Sequence, residues 1–297
     1  KGRQVLTMTY DHSTQKYRFF TNDSLAEEIE VRVEPLVKSE EGIEFLVHNH
    51  PLIRDLFTDP QGNIEVDVDV KYLNQHRQNF RKAFDLIKNL YPSYYDLICR
   101  SVKKIVLYKG SLNSFATFQS HGVIFLCVED HYDEVFFLDN ICHQSAHVIF
   151  NTVTLEKEEL FTLDPNSDLS EFTGDSELGG NLYGKFHGMF TQSNINTCFS
   201  RCLENNIFSG QQLHEIHGRL CYNMKRFSSS LTRFDQPHLY KPEGLRWYNT
   251  FQKINDALYE KHQDIIEKYY IFDQPYVFDY KLFTKSNPQK GVEATAK

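Results

Sequence analysis

The spacing of hydrophobic and polar residues changes character along this chain. In residues 1–70 it is largely of period two, the mark of strands with one buried face. Val5-Leu-Thr-Met-Thr-Tyr10 and Lys16-Tyr-Arg-Phe-Phe20 flank a polar stretch, Asp11 to Gln15, and predict a hairpin. Ile29 to Glu34 and Ile64 to Val70 alternate cleanly, with a turn expected at Asp59-Pro-Gln-Gly-Asn63. From Tyr72 to about Arg100 the spacing becomes helical, with a break expected at Pro92. Lys103 to Lys109 and Phe115 to Phe118 read as strands, and the continuous apolar run Val123 to Val128 reads as a buried one. Asp133 to Asn151 contains no Gly or Pro and repeats at helical spacing. A polar loop is expected from Leu155 to about Asn181. Helices are then expected from Leu182 to about Asn205, Gly210 to Ser230 and Glu243 to Tyr270. After Lys285 the polar, Gly- and Pro-bearing sequence predicts a disordered tail.

The predicted organisation is thus a β-rich region over 1–70, a main domain over 71–284 and a tail over 285–297. The fold class is α+β, mainly helical with a small sheet. Composition adds little: 40% hydrophobic and 24% charged residues are ordinary for a globular chain. A net charge of −8 argues against a nucleic-acid footprint or an anionic-membrane surface. With 24 Phe and 17 Tyr against one Trp, the aromatic content suits a packed core or a peptide groove. The six cysteines form no CxxC pair, and most lie in apolar surroundings, so reduced, buried thiols and a cytoplasmic setting are expected. No apolar run approaches the length of a membrane span, and no signal peptide is visible.

Chemistry enters with His143-Gln-Ser-Ala-His147. On a helix the two imidazoles lie one turn apart on one face, about 5–6 Å between Cβ atoms, and can share a divalent metal. In a hydrolytic zinc site the residue after the first His is a Glu that takes a proton from the attacking water. Gln144 has no such basicity, and losing a general base costs about 10²–10⁴ in rate. Metal binding does not depend on it. A His pair at this spacing also arises by chance in a chain with 13 His, and a disabled zinc peptidase or an engineered Glu-to-Gln variant would keep the same pattern. A catalytic metal needs a third protein ligand, for which Glu171, Glu177 and His187 are candidates. His48 and His50 read as loop residues. His214 and His217, three apart on a helix, read as a polar-face pair rather than a second metal site. Helix, short sheet and then the histidine helix is the order of a zincin-like core, followed here by C-terminal helices. A sheet edge in such a core can hold an extended peptide by strand addition.

Three features fall in a telling order. They are the strand from Gly122 to Phe125, the histidine helix, and a Leu-x-Gly-x-x-His-Gly box at Leu182, Gly184, His187 and Gly188. With these, residues 100–210 resemble the 2-oxoglutarate-dependent peptide β-hydroxylases that carry a HExxH motif and act on ribosomally made peptides. The resemblance implies Fe(II) held by His143, His147 and His187, with 2-oxoglutarate and O₂ as cosubstrates. It departs from the family at Gln144, and at Gly179-Gly180-Asn181, where an Arg- and Pro-rich segment is expected. The cation for the distal carboxylate of 2-oxoglutarate is then open among Lys185, Arg201, Arg219 and Arg226. Three neutral imidazoles leave a divalent ion at +2, which suits a chelating dianion, and oxidative chemistry needs no glutamate base. Gln144 would instead orient a bound water or the substrate amide. The alternatives are a zincin-fold zinc protein that is hydrolytically inactive or only binds peptide, and a metal-free partner protein.

Overall fold

The computed structural model describes residues 6–11, 13, 16–21, 24–30, 37–47, 57, 66–170 and 180–289. The chain forms two compact units, Lys1–Lys38 and Ser39–Lys297. In the first, strands β1 (Leu6–Asp11), β2 (Lys16–Thr21) and β3 (Ser24–Glu30) form an antiparallel sheet in that order. The hairpin expected around residues 11–15 is present, with Asp11 opposite Lys16 and Leu6 opposite Thr21. The second half of the strand expected over Ile29 to Glu34 lies outside the described residues. So do the turn at 59–63 and most of the tail.

The second unit begins well before residue 70. Its sheet joins β4 (Glu44–Leu46), β5 (Val66–Asp67), β6 (Lys104–Gly110) and β7 (Val123–Cys127). Strands β4 and β7 run parallel to β6, and β5 pairs with its far end antiparallel. The fold is mixed α+β, with seven helices among the described residues: α1 (Val70–Leu90), α2 (Pro92–Ser101), α3 (Glu134–Val153), α4 (Leu182–Glu204), α5 (Gly210–Arg233), α6 (Pro242–Lys268) and α7 (Tyr280–Ser286). Two expected strands are corrected. Val70 opens α1 rather than closing a strand, because Asp69 caps the helix by accepting from the Lys71 N–H. Phe115 makes one isolated antiparallel bridge to Phe125, and residues 118–120 turn into a 3₁₀ helix.

Pro92 divides α1 from α2 as its ring and missing N–H require, leaving Tyr91 non-helical at φ −136°, ψ 59°. Helix α3 is apolar on nearly every side, from Val135 and Phe137 through Ile141 and Ala146 to Ile149 and Phe150. Such a helix must be surrounded. It packs against α1, α2, α4 and β7, and the Tyr94 hydroxyl on α2 donates to its Cys142 carbonyl at 2.6 Å. Beneath it Phe57, Val66, Val106, Tyr108, Val123 and Phe125 form one face of the sheet core. The chain thereby sets its histidine helix in the middle of the unit.

Candidate metal centre

Helix α3, capped by Asp133, carries His143 and His147 with ring centroids 5.0 Å apart. His187 comes from the second turn of α4. That helix starts at Asn181, whose Oδ1 accepts from the Gly184 N–H at 2.8 Å. A Cβ on Gly184 would lie 2.9 Å from that same oxygen, so the first glycine of the box preserves the cap. The second, Gly188, faces open space, so close backbone approach does not explain it. The start of α4 is held to the end of α3 through the Tyr183 hydroxyl, 2.8 Å from Thr154 Oγ1 and 3.0 Å from Asn151 Oδ1.

This seating puts His187 Nε2 2.9 Å from His147 Nδ1. Two nitrogens bound at right angles to one metal, each at about 2.0–2.1 Å, would stand about 3 Å apart. The spacing therefore suits two neighbouring ligands of one ion. Here the two rings share a hydrogen bond instead. Among the described residues no group of three or more His, Cys, Asp or Glu side chains is arranged to hold a metal ion. The donor chemistry nevertheless fits a metal. Burial first, then the charges of Arg226 and His187, pushes His143 down to about 4. Burial and His143 push His147 down to about 3. His187 is held well below its ordinary value by burial, His147 and Lys157. All three are neutral near pH 7, the form that ligates.

The remaining candidates separate by position. Arg219 is buried between Asp139 Oδ2 at 2.5 Å and Glu215 Oε1 at 2.7 Å. Burial pushes both carboxyls up against the pull of the guanidinium. Asp139 lies one turn before His143, so Arg219 tethers the histidine helix to α5. Arg201 donates to the Leu90 carbonyl at the end of α1 and stacks 4.4 Å from the Tyr91 ring centroid. Both arginines are committed to structure. The charge of Arg226 is felt at half-buried His143. It donates to the Tyr222 hydroxyl at 2.6 Å and the Tyr276 carbonyl at 3.0 Å. Lys185 is pushed down by burial, then by Arg226 and Arg233. Lys157 is felt at His187 as Arg226 is at His143, in a chain of net charge −8.

Gln144 is 3% exposed and donates through Nε2 to the Ser114 carbonyl at 3.2 Å. Its Oε1 is buried with no hydrogen-bond partner among the described residues. Its amide thus anchors the 113–115 segment. Phe115 exchanges two backbone hydrogen bonds of 2.9 Å with Phe125 on β7, so the chain itself already occupies this part of the sheet edge. Glu171, Glu177, His48 and His50 lie outside the described residues. His214 and His217 are not on an exposed polar face. His214 meets the Tyr280 hydroxyl at 3.1 Å, and His217 meets that of Tyr269 at 3.2 Å. Sequence reasoning passed over Asn151, Tyr183 and Lys157. Asn151 continues the His143–His147 spacing by one more turn, a signal that was there to follow.

Comparison of the chain with protein-family models and with curated proteins gives no match.

Proposed function

We propose that this chain is an iron(II)- and 2-oxoglutarate-dependent oxygenase that hydroxylates a side-chain carbon, at the β position, of a ribosomally made peptide. The observation that carries it is the meeting of His187 with His147 at 2.9 Å, next to His143 one turn away. His143, His147 and His187 would hold the metal. Of the four candidate cations, Arg226 suits the distal carboxylate of 2-oxoglutarate best, because its charge is felt at His143 while those of Arg201 and Arg219 are spent elsewhere. Lys185, felt by neither His143 nor His187 but close to Arg226, would come second. When bound, Fe(II) with 2-oxoglutarate and O₂ supplies the oxidising power, the cosubstrate leaving as succinate and CO₂. The chain's own work is to keep three imidazoles neutral, exclude water with Phe150 and Tyr183, and neutralise a dianion.

The order of α1, α2, the sheet and α3 is consistent with a zincin-like core. A hydrolytic reading is disfavoured by Gln144, which lacks a base and is committed to Ser114. The six free thiols suit a cytoplasmic setting. Among the described residues no helix is long and apolar enough to cross a membrane.

The test is metal and cosubstrate binding. Protein purified without chelator, then given Fe(II) anaerobically, is expected to bind about one iron, and saturating 2-oxoglutarate should add a weak visible charge-transfer band. His143→Ala, His147→Ala and His187→Ala should each remove most of the iron. Full occupancy in His187→Ala would overturn the third ligand and bring Glu171 or Glu177 forward. Tight iron without the band would remove the oxygenase reading, and zinc in place of iron would favour the inactive zinc protein.

A further inference from the structure

Among the described residues, the loop after α6 concentrates exposed apolar surface as no other short segment does. Tyr270, Phe272, Tyr276 and Val277 are 50%, 77%, 78% and 48% exposed. The loop is nonetheless built. Gln274 N–H donates to the Ile271 carbonyl at 3.2 Å, and the Tyr222 hydroxyl is 2.9 and 2.6 Å from the carbonyls of Pro275 and Tyr276. Ile271 and Phe278 are buried at its two ends, against Cys221, Tyr222, Tyr269 and Phe283.

Two cations from α5 are set against the exposed rings. Lys225 Nζ lies 5.0 Å from the Phe272 centroid, and the Arg226 guanidinium 4.8 Å from that of Tyr276. Asp273, the acidic residue among them, is taken by the Ser286 hydroxyl. Phe278, at the end of the loop, has its ring 5.1 Å from the Arg219 guanidinium, which pairs with Asp139 one turn before His143, so this surface adjoins the histidine helix. A cluster of exposed apolar side chains on a built loop marks an interaction surface, and rings backed by cations favour a partner with both aliphatic and anionic groups.

We infer that the Tyr270–Val277 loop, with Lys225, is a docking surface for a segment of the peptide substrate that bears acidic and aliphatic side chains. This rests on the peptide-modifying function proposed above and adds where the peptide is gripped. The aliphatic side chains lie on Phe272 and Val277, and the carboxylates pair with Lys225.

The full chain is titrated with three fluorescein-labelled dodecapeptides of one Gly/Leu/Val framework, carrying Glu, Lys or Ser at the same three positions. Binding is read by fluorescence anisotropy at low and high salt. The Glu peptide is expected to bind at least tenfold tighter than the Lys peptide, and less tightly in high salt. Phe272→Ser/Val277→Ser should weaken it about tenfold, and Lys225→Glu should remove its advantage over the Lys peptide. In the Phe272→Ser/Val277→Ser variant the unfolding midpoint and the iron and 2-oxoglutarate titrations should not move, which separates failure here from failure of the oxygenase reading. Equal binding of all three peptides, no binding, or an unaltered Phe272→Ser/Val277→Ser variant would overturn the inference. So would sedimentation showing a dimer that the double variant dissociates, which would make a second copy the occupant.

Discussion

Gln144 on the histidine helix donates its amide hydrogen to the backbone carbonyl of Ser114, 3.2 Å away. That bond ties α3 to the segment that closes part of the edge of β7. The position next to the first histidine therefore acts in structure, and a carboxylate there would change more than basicity. An ionised Glu has no hydrogen to give and would face the Ser114 carbonyl. A protonated Glu would restore the bond.

Gln144→Glu should therefore be destabilised in a pH-dependent way. Burial raises the pKa of a Glu in this site, so the folded state binds a proton that the unfolded state gives up above about 4.3. Stability then falls as pH rises from that value through the raised one. The unfolding free energy from urea titration should lie near that of the parent at pH 5 and below it at pH 8, by about 1–3 kcal/mol, the usual cost of leaving a buried polar group unpaired. No peptide cleavage is expected. Cleavage products from Gln144→Glu, with no oxidised peptide from either protein, would make the chain a disabled zinc hydrolase.

His217 makes an independent pH prediction. Burial first, then Lys268, His214 and His262, pushes it down to about 4, with Asp264 opposing. Its folded pKa is below the unfolded value of about 6.5, so the unfolded state binds more protons between the two. Stability is complete above about 6.5 and is lost as pH falls toward 4. His217→Gln should flatten the stability–pH curve over that window by about 1–2 kcal/mol, a shift of this size being discounted for partial solvent screening. Urea unfolding of metal-free protein from pH 4.5 to 7.5 checks it, and parallel curves for the two proteins would refute it.

Much of this was legible in the residues. Helical spacing and a Pro at position 92 gave α1 and α2 within a few residues, since those signals are local. The histidine helix and the box at His187 were also local, and the structure brings their rings together. Phe115 to Phe118 looked like a strand from its apolar residues, but only Phe115 pairs, and its role is to stack on Phe125 at 4.4 Å. Which cation faces the site was not legible. Arg201 lies on α4 and Arg219 and Arg226 on α5, and only packing shows that Asp139 claims Arg219 and Leu90 claims Arg201. The Gln144–Ser114 bond is likewise a long-range contact that spacing cannot reveal.

The Arg219 triad predicts a stability effect separable from chemistry. Removing one partner of a buried ion pair strands the rest, at a cost of about 3–5 kcal/mol. Arg219→Ala leaves Asp139 and Glu215 together without a counterion, and they would take up protons. The Arg219→Met/Asp139→Leu/Glu215→Met triple variant should recover most of the loss, because apolar groups of similar size need no partner. Chemical denaturation of the single and triple variants decides. A single variant as stable as the parent would show that the triad does not tether α3.

The four candidate cations can be ranked by the ferrous 2-oxoglutarate band. Arg226 already uses Nη1 on the Tyr222 hydroxyl and the Tyr276 carbonyl, which fixes its guanidinium and leaves its other donors to be tested. A charge-assisted hydrogen bond is worth about 1.5–3 kcal/mol, and each 1.4 kcal/mol is tenfold in affinity. Arg226→Gln should thus raise the half-saturating concentration of 2-oxoglutarate about ten- to a hundredfold while iron content stays the same. Lys185→Gln should have a smaller effect, because an ammonium is a point charge and lacks the planar fork with which a guanidinium grips a carboxylate. Arg201→Gln should leave the titration within about threefold, its guanidinium being spent on Leu90 and Tyr91 far along the chain from the histidines, at an expected stability cost of about 1–3 kcal/mol. If Arg201→Gln weakened 2-oxoglutarate tenfold and Arg226→Gln did not, the carboxylate would have to bind at the far end of α4, and Arg226, whose charge is felt at His143, would have another purpose.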